Sequence, residues 1–128
     1  MKDSDRASGI RQGISLKLKE RQSVEVNLLK RRDMIAACLI ARHLGSSEEK
    51  RKTPSHYLSG KVTGKTVLRH VRKEDLARVR KKTEAWREFS RIMAKWRKLD
   101  AEIGRLLKEL GDAQSEKPFG REENERGV

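Results

Sequence analysis

The stretch Gly60-Lys61-Val62-Thr63-Gly64-Lys65-Thr66 sets glycine, lysine and threonine in an order that could cradle a phosphate. A phosphate-binding loop of that kind needs four residues between its first glycine and Gly-Lys-Thr, with a strand before it and a helix directly after. Here three residues intervene and a second strand-like run follows. A hairpin turn is therefore expected, from whose tip Lys61 and Lys65 could touch phosphate. Cys38, His43, His56 and His70 could suggest a metal, but no pair among them has ligand-like short spacing, and no metal or cofactor is expected. Trp86, Phe89 and Trp96 could stack on bases. Their spacing puts them on the apolar face of a helix, so packing is the expected role. No carboxylate pair and no Ser-His or Cys-His arrangement stands out. The sequence therefore points to no catalytic residue, no small-molecule substrate and no enzyme.

What remains is charge. The chain of 128 residues carries 32 Lys and Arg against 19 Asp and Glu, a net +13. A surplus of this size attracts polyanions, of which nucleic acid is the commonest. Residues 1–45 hold ten basic and five acidic residues, residues 46–72 seven and two, and residues 73–110 twelve and seven. Residues 111–128 reverse the sign, with three basic and five acidic. Within the third block, Lys73, Arg80, Arg87, Arg91, Lys98 and Arg105 recur at intervals of 7, 7, 4, 7 and 7. On an ideal helix they project within about 20° of one line, roughly opposite the apolar face. Glu84, Glu102 and Glu109 lie near that line. These six cations, with Lys61 and Lys65, are the candidate nucleic-acid-binding residues.

The elements that must carry them follow from periodicity. Residues 1–12 are polar and are expected to be a flexible N-terminus. A helix is expected from Ile14 to about Leu44, with Ile14, Leu16, Leu18, Val24, Leu28, Ile35, Cys38 and Leu39 near one side. Its weak points are Val24-Glu25-Val26 and the run Cys38-Leu39-Ile40, the second of which could be a short strand. Residues 45–55 read as a loop. Two β-prone runs flank Thr63-Gly64, and a turn there sets Leu58 opposite Arg69 and His56 opposite Val71. A long helix is expected from Lys73 to about Leu110, opened by Glu74 and Asp75 and stopped by Gly111. Residues 111–128 read as a disordered acidic tail. The expected fold is mainly α with a small β-hairpin: helix, loop, β-hairpin, long helix. It forms one domain over 13–110, with the two helices packed as an antiparallel pair. Homodimerisation through the long helix is the alternative if the first helix covers it poorly.

The composition is 40% charged, 34% hydrophobic and 4% aromatic, which suits long helices packed along one stripe each. A lone cysteine excludes a disulfide framework and favours a reducing compartment. No apolar run reaches the roughly 18 residues of a membrane span, and the N-terminus lacks a signal-like apolar region. A cytoplasmic protein without a membrane partner is expected.

Three short motifs precede the long Arg/Leu-rich helix. They are Pro54 with Tyr57-Leu58-Ser59, then Gly64-Lys65-Thr66, then Arg69, Val71, Lys73 and Glu74. This order resembles a prokaryotic family known only as a domain of unknown function, over roughly residues 34–110. Many of its members carry a cysteine cluster between the first helix and the hairpin, where this chain has Ser46 to Lys52. No zinc site is therefore carried over. Members of the family tend to occur with transposases and mobile elements, so the resemblance implies a DNA-linked role. Two functions compete on the sequence. One is sequence-tolerant nucleic-acid binding by an accessory protein, to DNA more than RNA. The other is a helical interaction or oligomerisation module whose charge keeps it in solution.

Overall fold

The computed structural model of the chain describes residues 2–43 and 53–116. Most of the expected loop over 45–55 and most of the expected tail over 111–128 lie outside these residues. The elements are α1 (Lys2–Leu28), β1 (Cys38–Arg42), β2 (Ser55–Val62), β3 (Lys65–Val71), a 3-10 turn (Lys73–Asp75) and α2 (Leu76–Gln114). The fold is mainly helical with a small antiparallel sheet, as expected. The expected single domain over 13–110 is divided into two compact units. One contains Met1–Asn27 and Lys95–Val128, the other Leu28–Ala94.

The first, helical unit pairs α1 with the second half of α2. Arg11 reaches Gln114, Lys17 reaches Glu102, Arg21 reaches Asp100 and Glu25 reaches Trp96. Numbers rise along one helix as they fall along the other, so the pair is antiparallel. Ala7, Ile14 and Val24 of α1 and Leu99 and Ile103 of α2 are buried between them. The helix runs through the segment expected to be a flexible N-terminus. That segment has no proline, and Ala7, only 4% exposed, anchors its second turn. Leu16 and Leu18, expected near the apolar side, are 67% and 40% exposed. Leu16 projects roughly 160° from Ile14 and faces outward, whereas Leu18 lies about 40° from Ile14, at the edge of the buried stripe. At the other end α2 passes Gly111, expected to stop it, and ends at Gln114. Nothing crowds Gly111, and the Ser115 hydroxyl donates to its carbonyl at 2.6 Å. This satisfies one of the carbonyls that a helix end leaves open.

The second, sheet unit corrects the expected first helix. It ends at Leu28, not near Leu44. The Arg32 guanidinium donates to the carbonyls of Leu28 and Lys30 and lies 5.7 Å over the Phe89 ring. A cation is favourable at a helix C-terminus, and here it is held there by an aromatic face. Cys38-Leu39-Ile40 forms the strand that the sequence allowed. β1 pairs antiparallel with β2, setting Leu39 opposite Leu58, and β2 pairs antiparallel with β3. The second pairing sets Leu58 opposite Arg69 and His56 opposite Val71, as the turn predicts. Thr63 and Gly64 have φ of 49° and 81°. Two positive values mark the tight turn whose twist matches the strands it joins.

Alternation assigns the two faces of the sheet. Leu39, Ala41, His56, Leu58 and Val71 share one face, and Ile40, Tyr57, Leu68 and His70 share the other. The first half of α2 lies along the former, where its Thr83 and Arg80 meet Leu39, Ala41 and His56 around a shallow hollow. Val71, Val79 and Thr83 are the buried residues of this unit among those described. The Thr83 hydroxyl is satisfied by the Arg80 carbonyl at 3.0 Å. The Ile35 amide donates to the Lys82 carbonyl at 3.1 Å and ties the segment before β1 to the helix.

Candidate nucleic-acid interface

The sheet unit holds most of the net charge. Residues 28–94 contain 18 Lys and Arg against 7 Asp and Glu, a surplus of eleven. The helical unit contains 14 against 12, a surplus of two. The blocks that look even along the chain are therefore uneven in the fold. From Thr53 to Lys73 there is no acidic residue at all, while Lys61, Lys65, Arg69, Arg72 and Lys73 are basic. The sheet is thus nearly free of internal neutralisation.

All eight candidate residues are exposed. Arg80, Arg87, Arg91, Lys98 and Arg105 share the continuous helix α2, and Lys61 and Lys65 flank the hairpin turn. Lys73 belongs to the 3-10 turn ahead of α2, where a tighter helical pitch takes it off the line of the others. The turn's first residue also faces a hollow lined by Thr53, Pro54, His56, His70 and Leu76. Arg80 and Arg87 sit on the flank of α2 next to β1 and His56, with Glu84 beside them. Arg91 is one helical turn beyond Arg87. Lys98 and Arg105 fall in the helical unit, among carboxylates. Arg105 lies 3.2 Å from Glu109, and both Lys98 and Arg105 help to hold the Glu102 carboxyl below its ordinary value. The largest cause of that lowering is the hydrogen bond from Lys17, which meets Glu102 at 2.9 Å. In return, Glu102 raises the Lys17 ammonium.

A second cationic flank was not evident from the sequence. Arg32, Arg78, Lys81 and Lys82 surround a hollow of about 380 Å³, with Asp33 as its acid. Arg78 also lies 4.0 Å from Asp75. Arg78, Lys81 and Lys82 were visible as cations but fall off the seven-residue repeat. Only the fold brings Arg32 beside them. Trp86 and Phe89 stack on each other at 6.1 Å, half-buried, and Trp96 donates to Glu25 at 3.0 Å. These partners account for all three aromatic side chains on α2 by packing.

Among the described residues, no cluster of three or more His, Cys, Asp or Glu could hold a metal ion, and no helix is long and apolar enough to cross a membrane. Compared with known protein families, curated proteins and solved structures, the chain finds no match.

Proposed function

We propose that the protein is a non-enzymatic, sequence-tolerant nucleic-acid-binding accessory protein, acting on DNA in preference to RNA, in the cytoplasm. The observation that carries this reading is the concentration of charge in the sheet unit. Eighteen cations fall there with seven carboxylates, so the unit carries a surplus of eleven positive charges. Concentrating like charge in one unit costs self-repulsion, which a phosphate backbone relieves. The binding residues are Lys61, Lys65, Lys73, Arg80, Arg87 and Arg91, joined by Arg78, Lys81 and Lys82. Lys98 and Arg105 contribute less, because carboxylates already neutralise their surroundings. The resemblance to a family found with mobile elements gives such a protein a natural setting beside a transposase.

A gel-shift titration with duplex DNA, single-stranded DNA and RNA at two salt concentrations tests this. Binding should weaken steeply with salt, by about 0.9 in log–log slope for each phosphate contacted on duplex DNA. Salt-insensitive or absent binding refutes it. A second reading is oligomerisation through the helical unit. Leu16, Val26 and Leu107 support it, being 67%, 61% and 51% exposed. It predicts a sedimentation profile that shifts with protein concentration.

A further inference from the structure

We infer that the hairpin tip enters the major groove of duplex DNA, Thr63-Gly64 first, with Lys61 and Lys65 reaching the phosphates on its two walls. This rests on the nucleic-acid reading above and adds where the ligand is gripped and which duplex geometry is accepted.

The register carries the argument. β1 pairs with β2 only as far as Cys38 opposite Ser59. Beyond that point the pairs Gly60–Val67, Lys61–Thr66 and Val62–Lys65 continue with no third strand beside them among the described residues. Ala37 flanks the sheet at Gly60, where an added Cβ would lie 3.6 Å from its own Cβ. Every residue from Lys61 to His70 is exposed. The two residue pairs beyond Gly60 and the turn that caps them, at about 3.3 Å a step, project about 10 Å past Ala37. The major groove of B-DNA is about 8.5 Å deep and about 12 Å wide. Packed sheets lie about 10 Å apart, which is the effective thickness of a strand layer with its side chains. Such a ribbon fits the major groove tip-first. It does not fit the minor groove, which is about 6 Å wide, or the narrow major groove of duplex RNA.

Chemistry agrees with dimension. Lys61 and Lys65 are offset by one position across the turn and so stand on opposite faces of the ribbon. In a groove those faces look at opposite phosphate walls. No acidic residue lies anywhere on the strands to oppose them. At the leading edge, Gly64 presents backbone. Thr63 keeps its hydroxyl close to the chain by donating to the Val62 carbonyl at 2.8 Å. The tip is therefore slim, and Thr66 adds a hydroxyl beside Lys61.

The test measures affinity for three duplexes of one sequence: DNA, DNA whose cytosines carry glucosylated hydroxymethyl groups filling the major groove, and RNA. Each is titrated with the full chain and with its K61A/K65A variant. The expected result is at least about tenfold weaker binding to the modified DNA and to the RNA duplex, as lost groove contacts of about 1.4 kcal/mol imply. The variant should show a log–log salt slope smaller by about 1.8, and its residual binding should no longer distinguish modified from unmodified DNA. Both lysines are exposed, so the variant should keep the wild-type circular dichroism and melting temperature. Equal affinity of the wild type for all three duplexes overturns the groove insertion while leaving nucleic-acid binding in place. Failure of the wild type to bind any of them, or single strands, overturns both.

Discussion

In the helical unit Lys17 meets Glu102 at 2.9 Å and Arg21 meets Asp100 at 2.8 Å. In the sheet unit eighteen cations have seven carboxylates between them. Both units draw on the same helix α2, and its two halves are similarly rich in Lys and Arg. What differs is the company. α1 sets Lys17 and Arg21 against Glu102 and Asp100 of the second half, and the sheet brings more cations alongside the first. The same residue type therefore serves cohesion in one place and leaves an open electrostatic demand in the other. Counting cations along a sequence does not separate these roles. Counting the acids that stand next to them, on their own helix or across from it, does.

The largest effect that would break this comparison is charge reversal. Replacing Arg80, Arg87 and Arg91 by glutamate should lower affinity for duplex DNA at least about a hundredfold near 0.1 M salt. Reversing Lys98 and Arg105 should change it by no more than about threefold, a contrast that fluorescence anisotropy reads directly. Equal losses from the two variants would mean that both units bind. Next comes packing. Leu99 is 4% exposed in the helical unit, and Leu99→Ala should cost about 2–5 kcal/mol in chemical denaturation. Hydrogen exchange should quicken most in α1 and least in β2 and β3 if the units hold together separately. Thr63 carries a β-branched side chain at φ 49°, and Thr63→Gly should stabilise the hairpin by about 1 kcal/mol. Gly104 sits in mid-helix with open space where a Cβ would go. Gly104→Ala should raise stability by about 0.5–1 kcal/mol without touching DNA affinity.

The smallest expected effect is on pH. The Glu102 carboxyl is lowered in the fold, so its contribution is present above its unfolded value of about 4.3 and is lost as pH falls through the lowered one. The Lys17 ammonium is raised, so its contribution is full below about 10.4 and is lost as pH climbs through the raised value. Both side chains keep part of their surface in water, 37% for Lys17 and 26% for Glu102, so the melting temperature should respond only weakly at either extreme. Lys17→Met should remove the acid arm and the alkaline arm together.

How much of this was legible in the sequence depends on range. The hairpin was legible down to its register, because a two-residue turn at Thr63-Gly64 leaves one pairing that satisfies both strands. The antiparallel helix pair was legible because α2 has a continuous apolar face that must be covered. The end of α1 was not, since it is closed by Arg32 lying over Phe89, a residue far along the chain. The strand β1 was visible only as one of two readings, because three adjacent apolar residues carry no period. The cation repeat was read correctly as spacing and too simply as a stripe. Its first member sits in a 3-10 turn, and its last two lie beside Glu102 and Glu109, acids that helical spacing already sets near the line.

β3 is an edge of the sheet, pairing among the described residues with β2 alone. A margin of this kind is a template on which a second molecule's strand can add, the first step toward insoluble aggregates. Lys65 and Arg69 stand along it and repel any identical strand that approaches. The cations that fit the ribbon for a polyanion therefore also act as gatekeepers of its solubility. Neutralising them should trade lost affinity for a growing tendency to precipitate, which light scattering during storage would reveal.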